Sequence, residues 1–369
     1  MKNKFMTLAL IASLAACSGG NPFDVVEEVD PDDVTDGEIV GDGEGTGIDR
    51  EGIPPGTAAP SPNAAIFRSE PTSDDNDGPG RGNGFANNIS YNAEDDTFSV
   101  DNLAFDGNTP YTRGTLVSSL NTDDDGVGRF QVYEAPATVI DQRAISRDNP
   151  TGEVRQFTYR AVYGVSRNRF NNGTENAATT QFAIVRTGSY VDYGFGGFIY
   201  QRDNSLVLPT EGLATFDGHS AGLRDFENQG GLQYSTADVR VTIDFSDFND
   251  GTDVRGDGVE GRIYNRRVLD LEGNDITAEV AATLGEGVSE IPDALFIVGP
   301  DRLDNNGDLV TEIRSDLPNG GGIYEQGTFY GIVSGEADEI VGVFVLESES
   351  TEITSRDTGG FIVYRGDGG

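Results

Sequence analysis

His219 and Ser220 are the adjacent residues whose types could support nucleophilic catalysis, because a histidine can activate a serine hydroxyl. The many carboxylates of the chain could supply the third member of a Ser-His-Asp arrangement. No G-x-S-x-G nucleophile elbow is expected in the chain, and no spacing selects two carboxylates as a glycosidase pair. We expect His219 to be exposed in a loop, and we predict no catalytic residue and no enzymatic activity.

Asn121, Asp123 and Asp125 place oxygen atoms at positions 1, 3 and 5 of a calcium-loop pattern, with Gly126 at position 6. The pattern fails at position 12, where Val132 replaces the bidentate glutamate. A second acidic turn carries three oxygen-bearing residues at alternate positions, namely Asp304, Asn306 and Asp308. Both segments fit solvated hairpin turns better than metal sites, so Asn121, Asp123 and Asp125 remain weak calcium candidates and no metal or cofactor is predicted.

Scarce arginines are interleaved with aromatic residues in two places. The first group contains Arg155, Arg160, Arg167 and Arg169 among Phe157, Tyr159, Tyr163 and Phe170, and the second contains Arg262, Arg266 and Arg267 around Tyr264. Guanidinium and aromatic faces are common at protein-protein hot spots. On an anionic surface they also serve as local counter-charges, and the sequence favours this second interpretation.

The composition excludes several classes of function. The chain has 369 residues and a formal net charge of −38, which argues against nucleic acid or an anionic membrane surface as an electrostatic partner. One cysteine excludes an intramolecular disulfide framework, and one histidine excludes metal sites built from several histidines.

The amino terminus has the pattern of a leader peptide, in which Lys2 and Lys4 precede an apolar run from Phe5 to Leu14. The run is too short for a stable membrane span. Residues 14–17, Leu-Ala-Ala-Cys, resemble the lipobox of bacterial lipoproteins, whose cysteine is acylated and becomes the first mature residue. The resemblance implies a signal peptide over 1–16, a lipid anchor at Cys17 and, since serine follows the cysteine, sorting to the outer membrane.

Residues 17–80 are predicted to be a disordered acidic tether. Between residues 21 and 50 there are eleven acidic residues and one basic residue, Arg50, so the segment repels itself and offers little apolar surface. The alternative is an acidic arm that captures cations or a basic partner.

The rest of the chain is predicted to be all-β, because apolar and polar residues alternate between clusters of Asn, Asp and Gly. Residues 81–204 form a β-rich handle-like subdomain in this interpretation. Eight further strands over 205–369 match the number that closes an antiparallel barrel filled by side chains. They are Leu213–Gly218, Ala237–Phe245, Gly258–Val268, Ala294–Val298, Leu309–Ser315, Ile323–Val333, Ile340–Leu346 and Gly360–Arg365. A helix is predicted over Ile276–Leu284, with Thr277 as a possible cap.

A G-x-F-Y-G segment followed by a G-x-F pair resembles the terminal hairpin of barrel domains in transferrin-binding protein B and related surface lipoproteins. The matching residues are Gly327, Phe329, Tyr330, Gly331, Gly342 and Phe344. Residues 214–218 resemble the first barrel strand of that family. The resemblance covers about residues 205–369 and implies a single handle-plus-barrel lobe. Its motif residues are interpreted as structural, with Phe329 and Phe344 entering the barrel, and no ligand-contact residue is transferred.

These observations predict a lipoprotein of the outer membrane and cell surface, anchored through Cys17, that binds an unknown protein or solute noncovalently. The alternative is a structural or assembly lipoprotein of the envelope without a soluble ligand. Neither interpretation involves nucleic acid.

Overall fold

The computed structural model describes residues 53–71, 87–101, 110–122, 128–155, 157–173, 176–188, 192–246, 258–298, 302–348 and 353–366. The predicted signal peptide, Cys17, most of the acidic tether, and Asp123 and Asp125 lie outside these residues.

Within the described residues, thirteen strands precede the barrel. They are β1 (Ile66–Ser69), β2 (Asn87–Asn92), β3 (Thr97–Asp101), β4 (Tyr111–Arg113), β5 (Ser119–Thr122), β6 (Gly128–Glu134), β7 (Thr138–Ile140), β8 (Glu153–Arg155), β9 (Tyr159–Val165), β10 (Arg169–Asn171), β11 (Asn176–Ala178), β12 (Thr180–Thr187) and β13 (Gly196–Arg202). Nine of them form one sheet in the order β1-β13-β12-β9-β6-β4-β3-β2, with β5 also paired to β6. We call this the handle-like sheet. The pairs β7-β8 and β10-β11 form two small hairpins.

The last eight strands close into an antiparallel barrel, in which each strand pairs with the next and β14 pairs with β21. They are β14 (Leu213–Phe226), β15 (Gln229–Asp244), β16 (Gly258–Leu269), β17 (Ala294–Phe296), β18 (Asp308–Asp316), β19 (Ile323–Ser334), β20 (Glu339–Ser348) and β21 (Ser355–Arg365). The helix α1 (Thr277–Ala282) lies between β16 and β17, and 3₁₀ turns occupy Gln142–Ala144 and Pro318–Gly320. The predicted all-β fold with a closed eight-stranded barrel is confirmed.

Side chains fill the barrel because apolar residues alternate along its strands. In β15, Val239, Val241 and Ile243 are buried in the barrel core, while Arg240 between them is exposed. This period of two turns every second side chain inward. The other end of the interior is polar: Arg266 forms ion pairs with Glu325 and Asp357 at 2.7 and 3.4 Å.

The handle-like sheet packs against the outer wall of the barrel through a shared apolar cluster and buried polar contacts. Phe198 of β13 lies 6.1 Å from Tyr330 of β19, measured between ring centroids. Glu339, fully buried at the start of β20, accepts hydrogen bonds from residues of the sheet and its connecting loops, namely Ser166, Asn168 and Thr179. Such satisfied buried contacts fix one arrangement of the two parts.

The predicted tether requires a correction, because residues 53–71 are ordered. Strand β1 pairs with β13 at the edge of the handle-like sheet. Its Arg68 binds both carboxylate oxygens of Asp308 at 3.0 and 2.6 Å, with both side chains buried. Glu70, just beyond β1, forms a buried ion pair with Arg186. One strand and two buried ion pairs therefore hold a segment whose composition alone indicated a spacer.

Two further local expectations are corrected. The turn around Asp304 and Asp308 is buried and joined to Arg68, so it is not a solvated hairpin turn. Thr277 is the first residue of α1 and does not cap it; its hydroxyl donates to Asp275 and accepts from the Val268 amide. Helix boundaries read from sequence commonly shift by this amount.

Candidate functional site

An open cleft of about 970 Å³ lies between the outer wall of the barrel and the loop that follows β9. We call it the lateral cleft. The barrel contributes residues of β14, β15, β16 and β21, and the handle side contributes Phe130 and residues 165–167 and 169. Its volume is within the range of small-molecule sites, about 300–1,000 Å³.

A second cleft of about 690 Å³ adjoins the first, and both are lined by His219 and Asp238. Its lining residues include the apolar side chains Leu116, Val117 and Leu269. Leu116 is 68% exposed. The His219-Asp238 pair thus lies at the boundary that the two clefts share.

A local irregularity in the sheet positions this pair. The register between β15 and β16 shifts by one residue between the pairs Thr236↔Arg267 and Asp238↔Tyr264, and Asn265 adopts a left-handed conformation with φ of 51°. Asp238 Oδ1 lies 2.7 Å from His219 Nδ1, and Asn265 Nδ2 donates to Asp238 Oδ2 at 2.6 Å. Bulges of this kind re-aim side chains near binding sites, and here the bulge fixes the orientation of the imidazole.

His219 therefore lies in the middle of β14, on the outer wall of the barrel, and the expectation of a loop histidine is wrong. Residues 218–222 are Gly-His-Ser-Ala-Gly and match G-x-S-x-G, so the expectation that this pattern is absent is wrong. The structural context of a nucleophile elbow is missing, because these residues continue one strand. Ser220 is buried, and its Oγ donates to the Ala237 carbonyl at 3.4 Å. Alternation along the strand places His219 and Ser220 on opposite faces, so they form no nucleophile-base pair.

The carboxylates of the lateral cleft already have partners. Asp217 accepts from Arg240 Nε at 2.6 Å, and both side chains are close to half exposed. Exposed ion pairs of this kind contribute little stability, at most about 1 kcal/mol. Their effect here is electrostatic, because Arg240 balances the charge of Asp217. The Asp238 carboxylate accepts a hydrogen bond from Asn265 and lies beside the His219 imidazole.

Arg167 and Arg169 extend from the handle side toward the same cleft. The Arg167 guanidinium carbon lies 4.0 Å from the centroid of the Tyr364 ring, and the Tyr364 hydroxyl accepts from the Arg167 amide at 3.0 Å. Arg169 Nη1 donates to the backbone carbonyls of Ser166 and Asn168. Within the part of the chain that the structure describes, neither guanidinium has a carboxylate within 4.0 Å, and both side chains are exposed.

The other arginines singled out by sequence are dispersed. Arg160 pairs with Glu134 at 3.8 Å, and Arg155 is exposed on the β7-β8 hairpin. Arg266 points into the barrel, whereas Arg267 pairs with Asp275 at 2.5 Å. Arg262 stacks on Tyr264, a residue that lines the lateral cleft, with 4.3 Å between the guanidinium carbon and the ring centroid.

The remaining sequence candidates lie elsewhere. Asn121 is on β5, while Asp123, Asp125 and Cys17 fall outside the described residues. Phe329 and Phe344 are buried in the barrel core, and Tyr330 faces the handle-like sheet.

Two other residues of the resembling motif, Gly331 and Gly342, are directly paired across β19 and β20, and Gly327 pairs with Leu346. A Cβ at Gly342 would lie 1.9 Å from the Tyr330 carbonyl oxygen, so the close approach there requires glycine.

Within the described ranges, no group of three or more His, Cys, Asp or Glu side chains is placed to hold a metal ion. In the same ranges, no helix has the length and apolarity needed to cross a membrane.

Comparisons with known proteins give structural likeness without sequence similarity. No family model matches the chain, and no curated protein matches its sequence. The structure is similar to that of a double mutant of the vaccine antigen transferrin-binding protein B from Haemophilus parasuis Hp5, with a TM-score of 0.37 and 10% identity over 82% of this chain and 45% of that one. A single mutant of the same antigen gives a TM-score of 0.36 at 10% identity and the same coverage.

A protein described as a surface lipoprotein gives a TM-score of 0.25 and 12% identity over 50% of this chain and 76% of that one. The chain spans about half the length of the two transferrin-binding protein B structures.

Proposed function

We propose that this chain is a lipid-anchored binding module of the bacterial outer membrane, displayed at the cell surface. Residues 1–16 serve as the signal peptide, Cys17 carries the acyl anchor, and the acidic segment that follows separates the folded part from the bilayer. The handle-like part, together with β1, and the barrel then act as one scaffold. Binding is noncovalent and takes place in the lateral cleft.

The observation that carries this proposal is the composition of the lateral cleft. It combines guanidinium groups, two tyrosines and apolar side chains on a scaffold held by buried contacts. Rigid scaffolds with a few convergent polar groups and apolar walls are typical of ligand sites. A catalytic role is not supported there, because the serine next to His219 points into the barrel core.

The anchor is tested in cells that express the full chain or its Cys17→Ala variant, grown with radiolabelled palmitate. We expect label and membrane association for the native chain and neither for the variant. Protease treatment of intact cells should then remove the folded part. Full protection would favour the periplasmic assembly role instead, and an unlabelled native chain would overturn the anchor.

The cleft is tested by site-specific photocrosslinking on cells. The photoreactive residue p-benzoylphenylalanine replaces Tyr264 in the lateral cleft or, as the matched control, Leu295, which is 54% exposed on β17. We expect a crosslinked product from position 264 and none from position 295. No product at 264, or the same product at both positions, would contradict a binding role for this cleft.

A further inference from the structure

Arg167 and Arg169 are two exposed arginines that have no carboxylate within 4.0 Å among the described residues. Nine other arginines each have a carboxylate within 4.0 Å, namely Arg68, Arg113, Arg160, Arg186, Arg240, Arg266, Arg267, Arg314 and Arg356. Arg143, Arg147 and Arg155 also lack one in the described ranges, so what sets Arg167 and Arg169 apart is their shared position. Both line the lateral cleft.

The two side chains are also held in place. Arg167 stacks on Tyr364, and Arg169 donates to two backbone carbonyls. These contacts already restrict both side chains before a ligand binds. A planar guanidinium with free N–H groups is suited to a carboxylate or phosphate group. Pre-ordering lowers the entropy lost on binding.

Arg262 adds a third guanidinium at the edge of the same cleft, where it stacks on Tyr264 and has no carboxylate within 4.0 Å among the residues that the structure describes. The lining of the cleft also includes apolar side chains, namely Phe130, Val165 and Ile362. An apolar wall beside cations fits a ligand that carries an organic body as well as an anionic group.

The charge of the whole chain limits how negative that ligand can be. A polyanion would extend beyond the cleft and meet the field of a molecule with a net charge of −38. A compact anion stays beside the guanidiniums, within the screening length of about 8 Å at physiological salt. The lateral cleft therefore selects against nucleic acid and long acidic polymers.

We infer that the lateral cleft binds a small organic anion, whose one or two negative charges are on a carboxylate or phosphate group and whose body is aromatic or aliphatic. Arg167 and Arg169 contact the anionic group, and Tyr264, Tyr364 and Ile362 contact the body. This inference rests on the proposed binding function and names the class of ligand.

The test uses the full chain with Cys17→Ser, so that the protein can be purified without its anchor. Dissociation constants are measured by calorimetry for benzoate, its neutral counterpart benzamide, phenyl phosphate and inorganic phosphate. The cleft variant is Arg167→Gln/Arg169→Gln. The matched control is Arg143→Gln/Arg147→Gln, which removes the same charge from exposed positions outside the cleft.

We expect benzoate or phenyl phosphate to bind the parent chain and the control equally, and to bind the cleft variant at least about tenfold more weakly, as expected for lost charge-assisted hydrogen bonds. Benzamide should bind more weakly than benzoate. Preference for phenyl phosphate over benzoate assigns the anion as phosphate, and the reverse assigns it as carboxylate.

Equal losses of affinity in the cleft variant and the control would overturn the inference. So would a failure of both organic anions to bind, or equal affinities for phenyl phosphate and inorganic phosphate. Both variants change exposed side chains, and matching thermal midpoints will show that each is folded. If the anions fail while Tyr264 still yields a crosslinked product, the ligand class is wrong and the binding function stands.

Discussion

The ring of Phe182, on β12 of the handle-like sheet, lies directly over Gly360 in β21 of the barrel. A Cβ at Gly360 would be 2.1 Å from Phe182 Cε2. The other side of the ring meets Gly164 of β9, where a Cβ would lie 2.3 Å from Phe182 Cε1. Phe182 is fully buried, so one aromatic ring fills the space left by two glycines and joins the sheet to the barrel.

We predict that Gly360→Ala lowers the free energy of unfolding by about 1–3 kcal/mol, because the added methyl group must displace the buried Phe182 ring. Gly366→Ala is the matched control, since the nearest atom to its Cβ would be 3.7 Å away and its φ is not positive. We expect a change within about 0.5 kcal/mol there. Urea denaturation measures the free energy of unfolding of both variants. Equal losses would show that the close contact between Gly360 and the Phe182 ring does not contribute to stability.

The buried pair of Arg186 and Glu70 gives a second prediction. Their nitrogen and oxygen are 2.7 Å apart with side chains 0% and 2% exposed, and Arg186 also donates to Thr358 Oγ1 in the barrel. Glu70→Gln should cost about 3–5 kcal/mol, because it leaves a buried guanidinium without its carboxylate. Asp316→Asn breaks the exposed pair with Arg314 and should cost no more than about 1 kcal/mol.

The double variant Glu70→Leu/Arg186→Met provides the decisive comparison. Removing both charges avoids an uncompensated buried ion, so it should destabilise less than Glu70→Gln alone. The double-mutant cycle uses Glu70→Leu and Arg186→Met as its single variants. If their losses of unfolding free energy simply add in the double variant, the two residues act independently.

The barrel could be predicted from sequence because its signal is local. Alternation such as Val239-Arg240-Val241 fixes both the strand and its inward face, and the turn residues mark where each strand ends. All eight barrel strands were expected from such patterns, although β14 and β15 extend well beyond their predicted limits. The additional residues pair across a long hairpin, and that pairing is set by the partner strand.

The lateral cleft could not be predicted in the same way. It depends on contacts between residues far apart in the chain, such as Arg167 with Tyr364. Likewise β1 is held by a pair whose members, Arg68 and Asp308, are 240 residues apart. The sequence indicated that arginines and tyrosines were interleaved, but only the docking of the sheet on the barrel determines which of them share a surface.

Asp203 gives a pH-dependent prediction. Burial raises the pKa of its carboxyl from 3.8 to about 6, although Gln181 and Gln201 donate hydrogen bonds that partly oppose the rise. Since the folded state holds this proton more tightly than the unfolded state, the contribution to stability is greatest below about pH 4. It is lost as the pH rises to about 6 and above.

Asp203→Asn should remove that loss. We expect the variant to be more stable than the native chain at pH 7 by about 1–2 kcal/mol, allowing for the partial exposure of the carboxyl, and to match it at pH 4. Thermal unfolding across this range measures the difference. A difference that is the same at both pH values would show that Asp203 does not titrate between them.

Phe329 and Tyr330 are neighbours on β19, and substituting them with alanine should destabilise different parts of the structure. The Phe329 ring is fully buried between Phe296 and Phe361, with centroids 4.2 and 4.4 Å away, inside the barrel. Phe329→Ala should cost about 3–5 kcal/mol of barrel stability. Tyr330→Ala should mainly loosen the contact with Phe198, so hydrogen exchange should rise in β13 before it rises in the barrel. If both variants expose the same amides together, the sheet and barrel unfold as one cooperative unit and the two aromatic residues have no separate roles.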